Sequence, residues 1–339
     1  MAHYDPNNVS RAAKVNDIRG ELRVDQYLTN FSVQYRQERK HFVAGKASTS
    51  IPVLNESDKY AIFPPGYFWR DEAEVRALGG RPVQVGYKVE SGQYLAEEWA
   101  LEHTIDDRQR RNAAEPFDLD ETGTALLEGK QMIREERIWA SKFWGAGLWT
   151  FNLDSAAGDF TPFDDAASDP VELIDDKKVQ FLQATGMMPN TLILGANVKT
   201  KLRSNANVID RLKYTQTGVA NTEALASLFE LENVGMAAGI YNAANEGADD
   251  DFEFVCDPNG MLMLYIEPSA RMDAPTAIAR FGWTGLISGA TNDNGGVITR
   301  GRDDRAYSDW IHSRNAFDYK QVSADLGVWF GNAVTPVSG

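Results

Sequence analysis

Residues 41–95 read as a long stretch of extended backbone that brings almost no core of its own, and this limits the possible folds more than any other feature. Three short β-prone runs, Phe42-Val43, Ile51–Leu54 and Tyr60–Phe63, are separated by Gly45, Asn55–Asp58 and Pro64-Pro65-Gly66. A charged stretch from Arg70 to Arg76 follows, then Gly79-Gly80 and Pro82, then a strand-like run from Val83 to Val89. An isolated β-hairpin is marginal in water, so this excursion needs a partner surface to lie on.

The strongest helix signal comes soon after. Over residues 118–145, Leu119, Leu126, Ile133, Ala140 and Trp144 lie close to one stripe, and Met132, Trp139 and Phe143 lie on a neighbouring one. Glu128, Lys130, Arg134, Glu135, Glu136 and Arg137 run between them. Asp118 or Asp120 can cap the start, Glu121 adds negative charge to the first turn, and Gly145 and Gly147 close the end. The helix would be about 39 Å long, roughly twice the globular average. A long β excursion followed by such a helix makes little sense in a compact monomer.

After an acidic connector at 153–168 the pattern becomes mixed α/β. Asp169-Pro170 opens a helix with Val171, Ile174, Phe181 and Leu182 on its buried face, and Gly186 ends it. Thr191–Gly195 is a short buried strand, followed by helices at 196–204 and near 206–214 and another starting at Asn221 with Leu225, Leu228 and Phe229. Val234–Tyr241 reads as a strand. Phe252–Cys256 and Met261–Ile266 read as a hairpin around Asp257-Pro258-Asn259-Gly260, and Asp309–Val334 alternates like strands. The class is α+β. In the first forty residues Ile18, Leu22, Val24, Tyr27 and Leu28 are too loosely spaced for a helix; an arm packing on neighbouring subunits and a disordered tail both fit.

The residues offer no catalytic, cofactor or metal site. Gly123–Gln131 approaches a phosphate loop, with one residue too many and Gln131 where a magnesium-binding hydroxyl belongs. Gly285–Gly289 has the wrong spacing for a nucleophile elbow. Glu102-His103 with Asp106-Asp107 reads as a polar strand end, and Asp175-Asp176-Lys177-Lys178 as the solvated face of a helix. The single cysteine, Cys256, rules out an intrachain disulfide; it reads as buried, with acidic Glu253 and Asp257 beside it instead of the positive charge that a reactive thiolate needs. Trp139, Phe143, Trp144 and Trp149 read as core or interface packing. The 339 residues, 43% of them hydrophobic, suffice for two sub-domains or one elongated body with appendages. The first residues carry no apolar core of the kind a secretory signal has, and no apolar run approaches the length needed to span a bilayer.

Net charge is −15, against a protein that grips DNA through a basic face. Residues 1–45 hold seven Arg/Lys against five Asp/Glu, so the rest carries the whole acidic excess. Solubility is the plain reading of that acid.

An ordered set of segments resembles a known family. Tyr67–Ala73 is followed by Gly86–Val89, Asp106-Asp107, Arg111–Ala113, Pro116–Asp120, Arg134–Ala140, Pro189–Gly195 and Val208–Thr215. In this order they look like tailed-phage major capsid proteins of the HK97-type coat fold, over roughly residues 40–330. The resemblance implies an N-arm (1–43), an extended β-hairpin E-loop (44–95), a peripheral domain (96–174) with a spine helix at 118–145, a mixed α/β axial domain (175–300) and a return to the peripheral domain (301–339). It implies self-assembly into hexamers and pentamers of an icosahedral shell around double-stranded DNA, held on the inner face without sequence specificity. Scaffolding, portal and decoration proteins are further candidate partners, and no membrane or cofactor is involved. The location implied is the virion, after assembly in the host cytoplasm. Candidate inter-subunit contacts are Phe63, Tyr67, Phe68 and Trp69 on the E-loop and Trp139 and Trp144 on the spine. An acidic lining would keep DNA from sticking, with Arg11, Lys14, Arg19 and Arg23 of the arm touching DNA or a scaffold. With the arm beginning at Met1, any scaffold is expected to be a separate protein. Lys46 and Lys59 match no motif for a covalent weld. An encapsulin-like compartment or gene-transfer particle is the alternative, and a soluble α/β enzyme the remote one.

Overall fold

The computed structural model describes residues 37–63, 65–112, 118–212, 222–269, 271, 274–286 and 296–336. The arm up to residue 36, and with it Arg11, Lys14, Arg19 and Arg23, lies outside the described residues. In chain order the strands are β1 (Thr49–Val53), β2 (Ser57–Ile62), β3 (Glu90–Leu95), β4 (Glu97–Asp106), β5 (Phe151–Asp154), β6 (Thr191–Gly195), β7 (Asn233–Ala237), β8 (Ile240–Asn242), β9 (Phe252–Phe254), β10 (Met261–Leu264), β11 (Ile278–Trp283), β12 (Val297–Asp303), β13 (Ser308–Gln321) and β14 (Gly327–Gly331). The helices are α1 (Asp107–Asn112), α2 (Leu119–Phe143), α3 (Pro170–Thr185), α4 (Ala196–Ser204), α5 (Ala206–Leu212) and α6 (Thr222–Leu228).

The chain divides into two compact units: a smaller one that includes Leu101–Gly129 and Ile298–Ser313, and a larger one of Glu38–Ala100, Lys130–Val297 and Arg314–Gly339. The larger unit is built on a five-stranded mixed sheet in the order β5-β14-β10-β6-β7. Its three central strands are buried at every position. Strands covered on both faces read as continuous apolar runs instead of alternating ones, which is why Thr191–Gly195 and Met261–Leu264 were legible. Helix α3 starts as its sequence predicts. The Asp169 carboxylate accepts from the Val171 and Glu172 N–H groups, Pro170 takes the first turn, and Gly186 closes the helix in the left-handed region. Val171, Ile174 and Phe181 are buried there, while Leu182 is exposed.

A second sheet brings distant segments together. β1 runs parallel to β11, with Ile51 opposite Phe281, and β11 runs antiparallel to β13, with Phe281 opposite Asp318. β13 also pairs with β4 and β12. In the smaller unit Ile105, Leu127 and Ile311 form a small core with Leu119 and Ile298. Arg110 pairs with Asp120 and Asp309, and Arg302 pairs with Asp107, Asp304 and Asp309.

Helix α2 ends at Phe143, two residues before the expected close. Asp118 is its cap, accepting from the Asp120 and Glu121 N–H groups. Its inward face differs from the expected stripe. Leu127 is buried and Leu126 exposed, and further along Gln131, Glu135 and Glu136 point inward with Trp139, Ala140 and Phe143. Apolar periodicity cannot see carboxylates that are buried because they have partners.

Four further expectations need correction. Phe252–Cys256 and Met261–Ile266 form no hairpin: β9 pairs with β8, while β10 lies between β6 and β14. The turn at 257–260 is occupied by other segments, because Gly195 N–H donates to Gly260 O, Asn197 N–H to Pro258 O and Ala333 N–H to Asn259 O. Val234–Tyr241 is two strands, broken where Ala238 N–H donates to His41 O and Gly239 O accepts from Val255 N–H. Val83–Val89 is irregular, and the hairpin strand starts only at Glu90. Lys178 is not solvated: it is buried, and its ammonium donates to Phe229 O at 2.9 Å and to Asp175 at 3.1 Å.

Candidate functional site

The excursion read from the sequence is a two-stranded hairpin, β2 against β3, with Tyr60 opposite Gly92. What anchors it is aromatic. Tyr94 stacks on Phe281 of β11 with ring centroids 4.5 Å apart, and Tyr60 lies against the same ring at 5.1 Å. Ile51, Val53 and Ala279 complete this small core. Tyr60 reaches Phe281 by crossing β3 at Gly92, where any Cβ would sit 2.4 Å from the tyrosine ring. At the hairpin base the Leu95 N–H donates to Asp318, which Lys142 also engages at 2.9 Å. Burial opposes the Asp318 charge, yet Lys142, the Leu95 N–H and Lys320 together hold its carboxyl below the usual range. The segment before the hairpin is not part of the excursion: Val43, Ala44 and Ala47 belong to the main core and β1 to the second sheet.

Beyond these anchors, residues 63–89 expose apolar side chains without a core beneath them. Phe63, Phe68 and Tyr87 cluster with centroids 5.5–6.2 Å apart, and all three remain exposed. Tyr67 is partly buried with the Arg70 guanidinium over its ring. Trp69 is half exposed, its ring edge near Gly186. Val75 and Leu78 are fully exposed. The hairpin thus gathers two of the expected contact residues, Phe63 and Phe68, with Tyr87, which the sequence places in a strand-like run, while Trp69 is exposed apart from them.

Trp139 of α2 and Trp144, the residue just after its end, are not on such a surface. Trp139 is 0% exposed and Trp144 9%, packed with Phe143 and, for Trp144, edge-on to Trp329. With their area already spent inside one chain, they are core residues and have little left to offer a neighbour. Sequence periodicity put Trp144 on one stripe and Trp139 on the neighbouring one, but could not say which partner either stripe meets.

The inward carboxylates of α2 do structural work. Glu135 takes a 2.6 Å bond from the Arg280 guanidinium and a 2.8 Å bond from the Tyr319 hydroxyl, and Arg280 also donates to Asn315. Glu136 is 1% exposed and accepts the backbone N–H groups of Val43 and Ala44 at 2.9–3.0 Å. Burial pushes its carboxyl up to about 7, against the pull of the Val43 and Ala44 N–H bonds and with the Glu135 charge adding to the rise. Cys256 is buried, its thiol pushed well up by burial and by Glu136 and Asp257. Among the described residues no group of His, Cys, Asp and Glu is placed to hold a metal ion, and no helix is long and apolar enough to cross a membrane.

No family model matches the chain. A curated relative, the major capsid protein of Burkholderia phage BcepMu, is 28% identical over 252 residues, covering 73% of this chain and 78% of its own. The fold matches a phage-related protein from Bordetella bronchiseptica RB50 with a TM-score of 0.66 at 18% identity, covering 89% of this chain and 95% of that one. It matches the capsid structure of cyanophage P-SCSP1u at 0.55 and 8% identity, with 89% and 90% covered. An encapsulin complex from Synechococcus elongatus PCC 7942 matches at 0.53 and 10%, with 93% and 97% covered. The architecture is therefore the HK97-like shell fold, in which an α+β body carries an extended hairpin and a long helix. In sequence the chain is similar to a phage major capsid protein, and in fold to phage capsid structures.

Proposed function

We propose that copies of this chain associate as hexamers and pentamers into an icosahedral head around double-stranded DNA, and that the β2–β3 hairpin is the E-loop that binds each copy to its neighbour. The observation that carries this reading is the exposed Phe63–Phe68–Tyr87 cluster on a segment anchored at its base and bare at its tip. Contiguous apolar surface of this kind on a soluble chain marks an interaction site. On this reading 1–43 is the arm, 96–174 with α2 as spine is peripheral, 175–300 is axial and 301–339 returns. On this reading the E-loop spans 44–95, with its hairpin starting at Ser57 and the segment before it packed into the body. Assembly takes place in the host cytoplasm, with scaffolding, portal and decoration proteins as further partners. The chain acts by binding copies of itself, without catalysing a reaction. The acid of 154–176 faces DNA and repels it, over about 8 Å at physiological salt.

The competing cargo is a protein, as in an encapsulin. The fold alone fits both, and the 28% identical relative, a phage coat, favours DNA. The test replaces residues 64–88 by a short Gly-Ser linker, leaving β2 and β3 paired. Negative-stain microscopy should find shells or capsomers from the full chain, with its co-expressed neighbours if needed, and only monomers from the variant. Shells from the variant would remove the hairpin from the interface. Protein cargo in place of nuclease-protected DNA would favour the encapsulin reading.

A further inference from the structure

A second open surface lies away from the hairpin. In the β8–β9 pair Tyr241 stands opposite Glu253, the Tyr241 hydroxyl donates to the Glu253 carboxylate at 2.8 Å, and the Arg137 guanidinium of α2 covers the Tyr241 ring at 4.3 Å. That ties one face of the little sheet to the body. The opposite face carries Phe252 and Phe254, which share a side because they are two residues apart, and they are 64% and 44% exposed. Two strands with a bare aromatic face are marginal in water. Asp249, Asp250 and Asp251 lead directly into β9, and Asp249 and Asp251 form no ion pair among the described residues. Whatever covers this face must combine cations with apolar stems.

The same chain presents that complement. Helix α4 carries Lys199 and Arg203 one turn apart, and neither forms an ion pair among the described residues. Like charges four residues apart on a helix repel. Burial, together with Lys40 of the one-turn helix at Arg39–His41 and Arg203, lowers the Lys199 pKa. Lys40 is paired with Glu38, but Lys199 and Arg203, two cations that form no ion pair among the described residues, are unexpected in a chain with fifteen surplus negative charges. Ammonium and guanidinium groups bind aromatic faces and carboxylates at once.

We propose that the Phe252–Phe254 face of one copy docks on the Lys199–Arg203 face of the next, a head-to-tail contact between two different surfaces of the same chain. Such a contact closes into a ring when the rotation is right, so the inference rests on the shell reading and locates one of its contacts.

Two measurements test it. In the first, Lys199→Glu with Arg203→Glu, and separately Asp249→Lys with Asp251→Lys, should each stop capsomer formation by light scattering while the circular dichroism spectrum stays that of the wild type. The fourfold swap should restore assembly. In the second, full chains carrying Phe254→Cys and Arg203→Cys together should give a ladder of disulfide-linked oligomers on mild oxidation, and either substitution alone should not. Wild-type shells with no ladder and no rescue would overturn this contact and leave the shell reading intact. A ladder without shells would uphold the contact and sink the shell reading. If the Lys199→Glu, Arg203→Glu variant assembles normally but loses only retained DNA, the basic face is a nucleic-acid surface and the proposal is wrong.

Discussion

Glu135 and Glu136 stand side by side inside the protein and face opposite energetic situations. Glu135 has a cation, and breaking such a buried pair from one side leaves a charge without compensation. Arg280→Met should therefore cost about 3–5 kcal/mol, read from denaturant midpoints, whereas the double variant with Glu135→Leu should recover much of the loss. Tyr319→Phe, which removes one hydrogen bond to Glu135, should cost about 1 kcal/mol. Glu136 has only N–H dipoles. Its carboxyl titrates near 7 in the fold against an ordinary value near 4.5, so the folded state holds the proton more tightly than the unfolded chain. The stability this confers is complete below about pH 4.5 and lost as pH rises through about 7. The shift corresponds to roughly 3 kcal/mol. Glu136→Gln should flatten that slope: urea midpoints of the variant should change less between pH 5 and 8 than those of the wild type, and an unchanged slope would contradict the assignment. Neither glutamate was legible as buried, because a charged residue in a helical pattern reads as solvated unless its partner is visible, and Arg280 and Val43 are remote in sequence.

At the scale of elements, the hairpin's hold on the body is one aromatic sandwich. Phe281→Ala removes the ring between Tyr60 and Tyr94 and should destabilise by about 3–5 kcal/mol. Amide exchange in β2 and β3 should accelerate more than in β6 or β10, which share no contact with that ring. Equal acceleration everywhere would mean that the hairpin is not an independent cooperative piece. The elements legible in advance had a local signature: α3 with its Asp-Pro cap and Gly stop, α4 behind a buried strand, and α2 by its length. The misread ones depended on distant partners. Asp257–Gly260 has the composition of a hairpin turn, yet Gly195 approaches so closely that a Cβ there would lie 2.3 Å from Pro258 O. Gly195→Ala should therefore disrupt this junction, lowering the melting temperature well beyond what loss of a surface glycine would cause.

For the whole molecule, the sequence carried the order of parts well and their surfaces poorly. Phe63, Phe68 and Trp69 were recognisable as contact candidates because aromatics in a core-poor segment have nowhere to go, whereas Trp139 and Trp144 looked equivalent in sequence and turned out to be interior. Phe252 and Phe254 were missed because their run was given to a strand pairing that does not form. If the tip of the hairpin is covered on assembly, trypsin should cut at Arg70, Arg76 or Lys88 in unassembled protein and leave these bonds intact in shells. Cleavage at equal rates in both would argue that the tip stays uncovered.

The parallel pairing of β1 with β11, and the ring of Phe281 it brings to Tyr60 and Tyr94, also sets a schedule for synthesis. The hairpin strands leave the ribosome roughly 190 residues before their anchor does. At 5–20 residues per second that is an interval of about 10–40 s. During it the nascent chain holds the Tyr60 and Tyr94 rings without the Phe281 ring they pack on, in a cell where many ribosomes are making the same chain. Contacts between neighbouring nascent copies would then be possible before any copy is finished, and slow elongation downstream of residue 95 would lengthen that exposure.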